Sequence, residues 1–321
     1  MLLGQNSYKL ELALLKKLQK SLGFTRLRYN FLGTNTKTSK SDFFFIEVYA
    51  EKMSDSCSKV FVRVGKYQGS ESFFEREFGL NEIKVQGTRG SIGEDSFLID
   101  PTSLTGLIAS SKGVVSWSLK INRKASYSTK RGRSDIYWSI SGLNACFSGE
   151  LFFGSETYIV SPGISNGYID EIFGKKLPSP FFNLTCHYIK SSISGKKTEE
   201  GNFVVQGGYS NFIAFVCNIG SLFIRKNCAK KICHYSFSDF DEKFHWTVSL
   251  PYKKYLVDLD VYIPKEDLIS RKYLSLEDGV DTISFGGASG SGELRVYRKK
   301  GKSLEILDHF VLQNVLCEHA D

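Results

Sequence analysis

Several features are scarce or missing in this chain of 321 residues, and each absence narrows the reading. No apolar run reaches the roughly 18 residues of a membrane-spanning helix. Methionine is limited to 2 residues and tryptophan to 3, against 25 Phe, 16 Tyr and 29 Gly. That balance suits half-buried pleated strands joined by tight turns, so an all-β fold is expected. The 7 cysteines (Cys57, Cys146, Cys186, Cys217, Cys228, Cys233 and Cys317) are odd in number and lack the spacing of a small disulfide-framed domain. Free thiols in a reducing compartment are expected. Met1 to Asn6 is not followed by the uninterrupted apolar stretch of a secretory signal, which points to a cytoplasmic protein.

The usual chemical signatures are also missing. Cys228, Cys233 and His234 have no second ligand pair at zinc spacing, so no metal is expected. The glycines from 286 to 292 lack the Gly-Lys-Ser/Thr ending of a phosphate loop and run into a strand pattern, which excludes nucleotide binding there. No Ser-His-Asp or Cys-His nucleophile set stands out.

Lysine and arginine exceed aspartate and glutamate by 42 to 34, a formal charge of +8. The basic residues scatter singly or in pairs, and the densest cluster, Lys130-Arg131-Gly132-Arg133, reads as a solvated turn. No aromatic-plus-basic recognition pattern accompanies it, so nucleic acid is not an expected partner. A hydrophobic content of 41% is that of an ordinary globular protein, and the length exceeds a single core, so two domains are expected.

Residues 8 to 22 read as an amphipathic helix, with Leu10, Leu14, Leu15, Leu18 and Leu22 on one face and Lys9, Lys16, Lys17 and Lys20 largely opposite. Such a helix suits either the end of a β-barrel or peripheral contact with an anionic membrane surface. From about residue 42 the period falls to two. Val60, Val62 and Val64, then Val115, Trp117, Leu119 and Ile121, then Val257, Leu259, Val261 and Ile263, each mark a strand with one apolar face. Glycine-rich turns separate these runs, including residues 142 to 144 and 163 to 167.

Gly167-Tyr168-Ile169-Asp170-Glu171-Ile172-Phe173-Gly174, followed by Pro178-Ser179-Pro180-Phe181-Phe182 and Asn183-Leu184-Thr185-Cys186-His187, resembles the signature segment of the tocopherol cyclase-like proteins. Arg28 to Gly33, Phe43 to Glu47, Trp117 to Asn122, Gly207-Gly208, Phe285 to Gly287 and Leu316-Cys317-Glu318 follow in family order. The chain has Phe173 where the family carries Trp, Ile172 where it carries a polar residue, Phe181 and Asn183 in place of two Trp, and His187 in place of Asn. The resemblance implies two lipocalin-like antiparallel β-barrels. The expected division is an N-terminal helix over residues 1–23, a first barrel over 24–144 and a second, signature-bearing barrel over 145–321.

The resemblance further implies acid-catalysed cyclisation, or hydration, of a prenylated or isoprenoid hydrophobic substrate without an organic cofactor. Such chemistry needs a carboxylic acid kept protonated by an apolar wall, and aromatic faces that stabilise a carbocation. Asp170 is the candidate acid, although it would also serve as a turn cap around Gly174. Glu171, one residue on, faces the opposite side of an extended strand, so only one of the two points inward. Tyr168, Phe173, Phe181, Asn183, His187 and Gln206 are the candidate substrate contacts. The alternative is a non-catalytic carrier or sensor of a hydrophobic ligand. The oligomeric state is left open.

Overall fold

The computed structural model describes residues 3–20, 22–54, 56–68, 73–124, 126–128, 136–163, 166–198, 201–208, 212–219, 222–229, 233–273, 275 and 279–320. The basic cluster 130–133 and loop positions 164 and 165 lie outside the described residues. As expected, the fold is all-β: two barrel-like antiparallel units preceded by one helix.

The chain divides into a first unit of Met1–Leu177 with Lys272–Thr282, and a second of Pro178–Arg271 with Ile283–Asp321. A boundary near residue 145 would cut a single long strand, Ile136–Phe153. On one side that strand pairs with Gly113–Asn122; on the other it pairs with Glu156–Val160 and Asn166–Gly174. The signature segment before Leu177 therefore belongs to the first unit, because its strand is hydrogen-bonded into that sheet.

Among the described residues, the first unit holds a 13-stranded sheet. The signature strand Asn166–Gly174 lies between Gly23–Asn35 and Ile136–Phe153. Its first glycine has a steric reason. A Cβ on Gly167 would meet the Asn30 carbonyl oxygen at 2.1 Å and the Phe147 ring at 2.6 Å. The barrel interior is apolar, built from Leu27, Tyr29, Phe31, Ile46, Val48, Val62, Phe147, Ile169 and their neighbours.

The helix spans Leu3–Lys20 and buries Tyr8, Glu11, Leu12, Leu14 and Leu15, while Lys9, Lys16 and Lys20 are exposed. Each fully buried leucine contributes roughly 1.5–3 kcal/mol. Close approach is possible because Gly90 has no side chain; a Cβ there would stand 2.6 Å from a Leu15 methyl. Lys17 and Lys20 fall in the last turn, where they complement the helix dipole. No described helix is long and apolar enough to cross a membrane.

Among the described residues, the second unit holds an 11-stranded sheet around Phe182, Leu184, Phe203, Phe215, Trp246, Leu259, Leu294, Phe310 and Cys317. Cys57, Cys146, Cys186, Cys217 and Cys317 are free thiols. Cys233, fully buried, is disulfide-bonded, so the expectation of free thiols fails there.

Candidate functional site

The two adjacent signature carboxylates occupy opposite faces of one strand, and their surroundings differ in kind. Asp170 sits directly across from Arg28 on one side and Ile140 on the other. It is 1% exposed. Its carboxylate accepts from Arg28 Nε at 3.3 Å and from the Trp138 indole N–H at 3.3 Å, and lies 4.0 Å from Arg26 Nη2.

This pair is part of a cross-strand row in which charge alternates: Glu75, Arg63, Glu47, Arg28 and Asp170 stand side by side on five neighbouring strands. Arg63 is ion-paired with Glu75 and lies 3.5 Å from Glu47. Tyr273 donates to Glu47 at 2.8 Å, and its ring packs edge-on to Tyr49 at 4.9 Å. Opposite charges directly across a sheet attract, and the row positions each buried charge beside a counter-charge. Asp170 is thus neither walled by apolar groups nor a turn cap.

Glu171 faces the barrel interior with Ile169 and Phe173. Its Oε2 accepts from the Ser139 hydroxyl at 2.7 Å, and Oε1 is buried. Burial pushes its carboxyl up to about 8, and the nearby Glu11 carboxylate adds to the rise. The hydroxyls of Ser139 and Ser141 pull it back down in part, and Asp170 raises it further. The group is therefore mostly protonated at neutral pH.

Glu11 arrives from the helix as the second acid of this interior. Arg123 clamps it with two bonds of 2.6 and 2.8 Å, and the Tyr29 hydroxyl donates to it at 2.6 Å. Burial first, then Glu11, holds the Tyr29 phenol well above its ordinary value, so it stays a hydrogen-bond donor. Tyr29 and Phe97 pack with ring centroids 6.3 Å apart. Phe173 stacks on Tyr137 at 4.7 Å, with the Lys17 ammonium 3.2 Å from its ring centroid.

The other expected contacts divide between the units. Tyr168 is buried on the Asp170 face of the first unit, and its carbonyl accepts from Asn30 at 3.3 Å. In the second unit Asn183 stands directly across from both Gln206 and Glu318. Glu318 accepts from Arg271 at 2.9 Å and from Ser284 at 3.1 Å. Phe181 lies on the same strand, fully buried. His187 follows that strand; neither ring nitrogen has a hydrogen-bond partner among the described residues, and burial pushes its pKa down to about 4. The structure therefore groups Tyr168 with Asp170, Phe173 with Glu171, and Asn183 with Gln206.

Sequence reasoning missed the arginines and the helix acid. The available signal was charge inside apolar strands: Arg26 and Arg28 flank Leu27, Glu47 sits between Ile46 and Val48, and Arg63 between Val62 and Val64.

No protein-family model matches the chain, and no curated protein matches it. Solved structures do. A crystal structure of a protein given the name AttH, from Nitrosomonas europaea, aligns over 91% of this chain and 93% of its own with a TM-score of 0.51 at 7% identity. Kievitone hydratase from Nectria haematococca aligns over 94% of this chain and 92% of its own, with a TM-score of 0.46 at 9% identity. The first likeness shows a shared fold and, at that identity, the fold alone.

Proposed function

We propose that the protein protonates an alkene in a hydrophobic, isoprenoid-type substrate, leading to hydration or ring closure, with Glu171 as the proton donor. The observation that carries this reading is the Glu171 carboxyl: fully buried, raised to about 8, and flanked by aromatic residues of an apolar interior. Its burial and raised value support Glu171, one residue beyond Asp170, as the acid.

In the reaction the Glu171 O–H bond breaks as a C–H bond forms on the less substituted alkene carbon, leaving a tertiary cation and a carboxylate. Water or a substrate hydroxyl then bonds to the cation through oxygen and returns its proton to the carboxylate. The electron-rich face of Tyr29 favours the cation. Glu11, clamped by Arg123, adds to the rise of the acid. Asp170 and its arginines hold the strand that carries Glu171.

The test is incubation in deuterated water with a panel of prenylated quinols and acyclic isoprenoids. Protonation at carbon leaves one deuterium in the product. Incorporation by the wild-type protein and its loss in Glu171→Gln is the expected pattern. Undiminished incorporation by that variant refutes the assignment, and binding with no incorporation in the wild type identifies a carrier instead.

A further inference from the structure

The second unit contains a cleft of about 370 Å³ lined by Ile219, Leu222, Val296, Leu307 and Phe310 together with a polar rim. Ile219, Val296 and Phe310 also belong to the unit's buried core, so the cleft opens onto its apolar interior. Its volume lies in the range of small-molecule sites.

Among the described residues, the rim carries Lys196, Lys197 and Arg298 together with the acid Asp308. Asp308 is already engaged, accepting from the Ser191 hydroxyl at 3.1 Å and the His309 backbone N–H at 2.8 Å. Arg298 stands across from Glu305, whose carboxylate is bound chiefly by Lys300, and the Arg298 Nε is buried with no hydrogen-bond partner among the described residues. A buried guanidinium donor left without an acceptor costs free energy that an anionic ligand would recover.

The backbone that carries the two exposed lysines is fixed. They sit on a turn pinned by Ser191 N–H to the Lys196 carbonyl at 3.0 Å, Gly195 N–H to the Ser191 carbonyl at 2.9 Å, and Thr198 N–H to the Ile189 carbonyl at 2.8 Å. The Lys197 ammonium rests 4.5 Å from the Tyr188 ring centroid. Two lysines on the rim of an apolar floor suit a ligand that is anionic at one end and hydrocarbon along the rest.

From this we infer that the second unit binds a medium-length alkyl carboxylate, a fatty acid, with its chain on Ile219, Leu222, Val296 and Phe310 and its carboxylate at Lys196, Lys197 and Arg298. The site is lined wholly by second-unit residues and is independent of any chemistry at Glu171.

Isothermal titration of the full chain with laurate, methyl laurate and lauryl alcohol tests it. Laurate should bind at least tenfold more tightly than its ester or alcohol. Arg298→Gln should lose about tenfold in laurate affinity. The double variant Lys196→Gln/Lys197→Gln changes two exposed side chains, so folding is not at stake; it should lose a similar factor for laurate and nothing for the alcohol. Glu171→Gln should bind laurate as the wild type does. No laurate binding, equal affinity for acid and ester, or full laurate affinity in the double variant each overturns the inference. Loss of laurate binding in Glu171→Gln contradicts the site's independence.

Discussion

Replacing Glu171 with glutamine should change the pH dependence of stability more than stability itself. In the folded protein this carboxyl is raised from 4.5 to about 8, and the group is fully buried. A carboxyl with a raised folded pKa holds its proton in the native state after the unfolded chain has released it. Stability is therefore lost as pH rises through the window from about 4.5 to about 8, then levels off. A displacement of this size corresponds to about 5 kcal/mol above pH 8 and about 3 kcal/mol at pH 7. Glutamine keeps the length and an oxygen for the Ser139 hydroxyl but does not ionise. Urea unfolding of wild type and Glu171→Gln at matched pH values cancels what the two share, including the second unit. The variant's advantage over wild type should grow by several kcal/mol between pH 5 and pH 9. Parallel curves across that range would refute the claim that a protonated Glu171 is buried in the folded state.

Three further outcomes follow from the same geometry. Asp170→Asn leaves Arg26 and Arg28 beside a neutral amide and should destabilise the first unit by about 3–5 kcal/mol in urea; a change within experimental error contradicts the charged row. Glu11→Gln removes the carboxylate that raises Glu171 and strands Arg123, so it should cost about 3–5 kcal/mol and move the Glu171 titration to lower pH; an unmoved titration separates the two acids. His187 has the opposite sign from Glu171. Its folded pKa is lowered to about 4, so stability is lost as pH falls from about 6.5 towards 4, by roughly 3 kcal/mol. His187→Phe should abolish that slope, and its persistence in the variant would place the titrating group elsewhere.

The all-β fold was legible in the sequence wherever one face of a strand meets solvent. Gly113–Asn122 alternates as read, burying Val115, Trp117, Leu119 and Ile121. The helix was legible from its leucines, although it ends at Lys20 and leaves Leu22 66% exposed. The site was harder because its strands are covered on both sides. Along Gly23–Asn35 nearly every residue is buried, so alternation does not say which face is the core. Asp170 and Glu171 are a case in point. A period of two requires them to part, but only the pairing of Glu171 with Leu27 and Ser139, and of Asp170 with Arg28 and Ile140, decides which acid enters the barrel. Glu11 and Arg123 are 112 residues apart, and nothing local in either segment announces the pair. The unit boundary was obscured for a similar reason, since Gly142 lies within a continuous strand and reads as a turn.

The proposed chemistry depends on one proton, that of Glu171. Difference infrared spectroscopy of the wild type against Glu171→Gln, with glutamate carboxyls isotopically labelled, reports the protonation of this side chain directly. A protonated carboxyl band present at pH 6, largely retained at pH 7 and lost with a midpoint near 8 is the predicted result. A carboxylate already ionised at pH 6 would contradict the assignment of Glu171 as the acid.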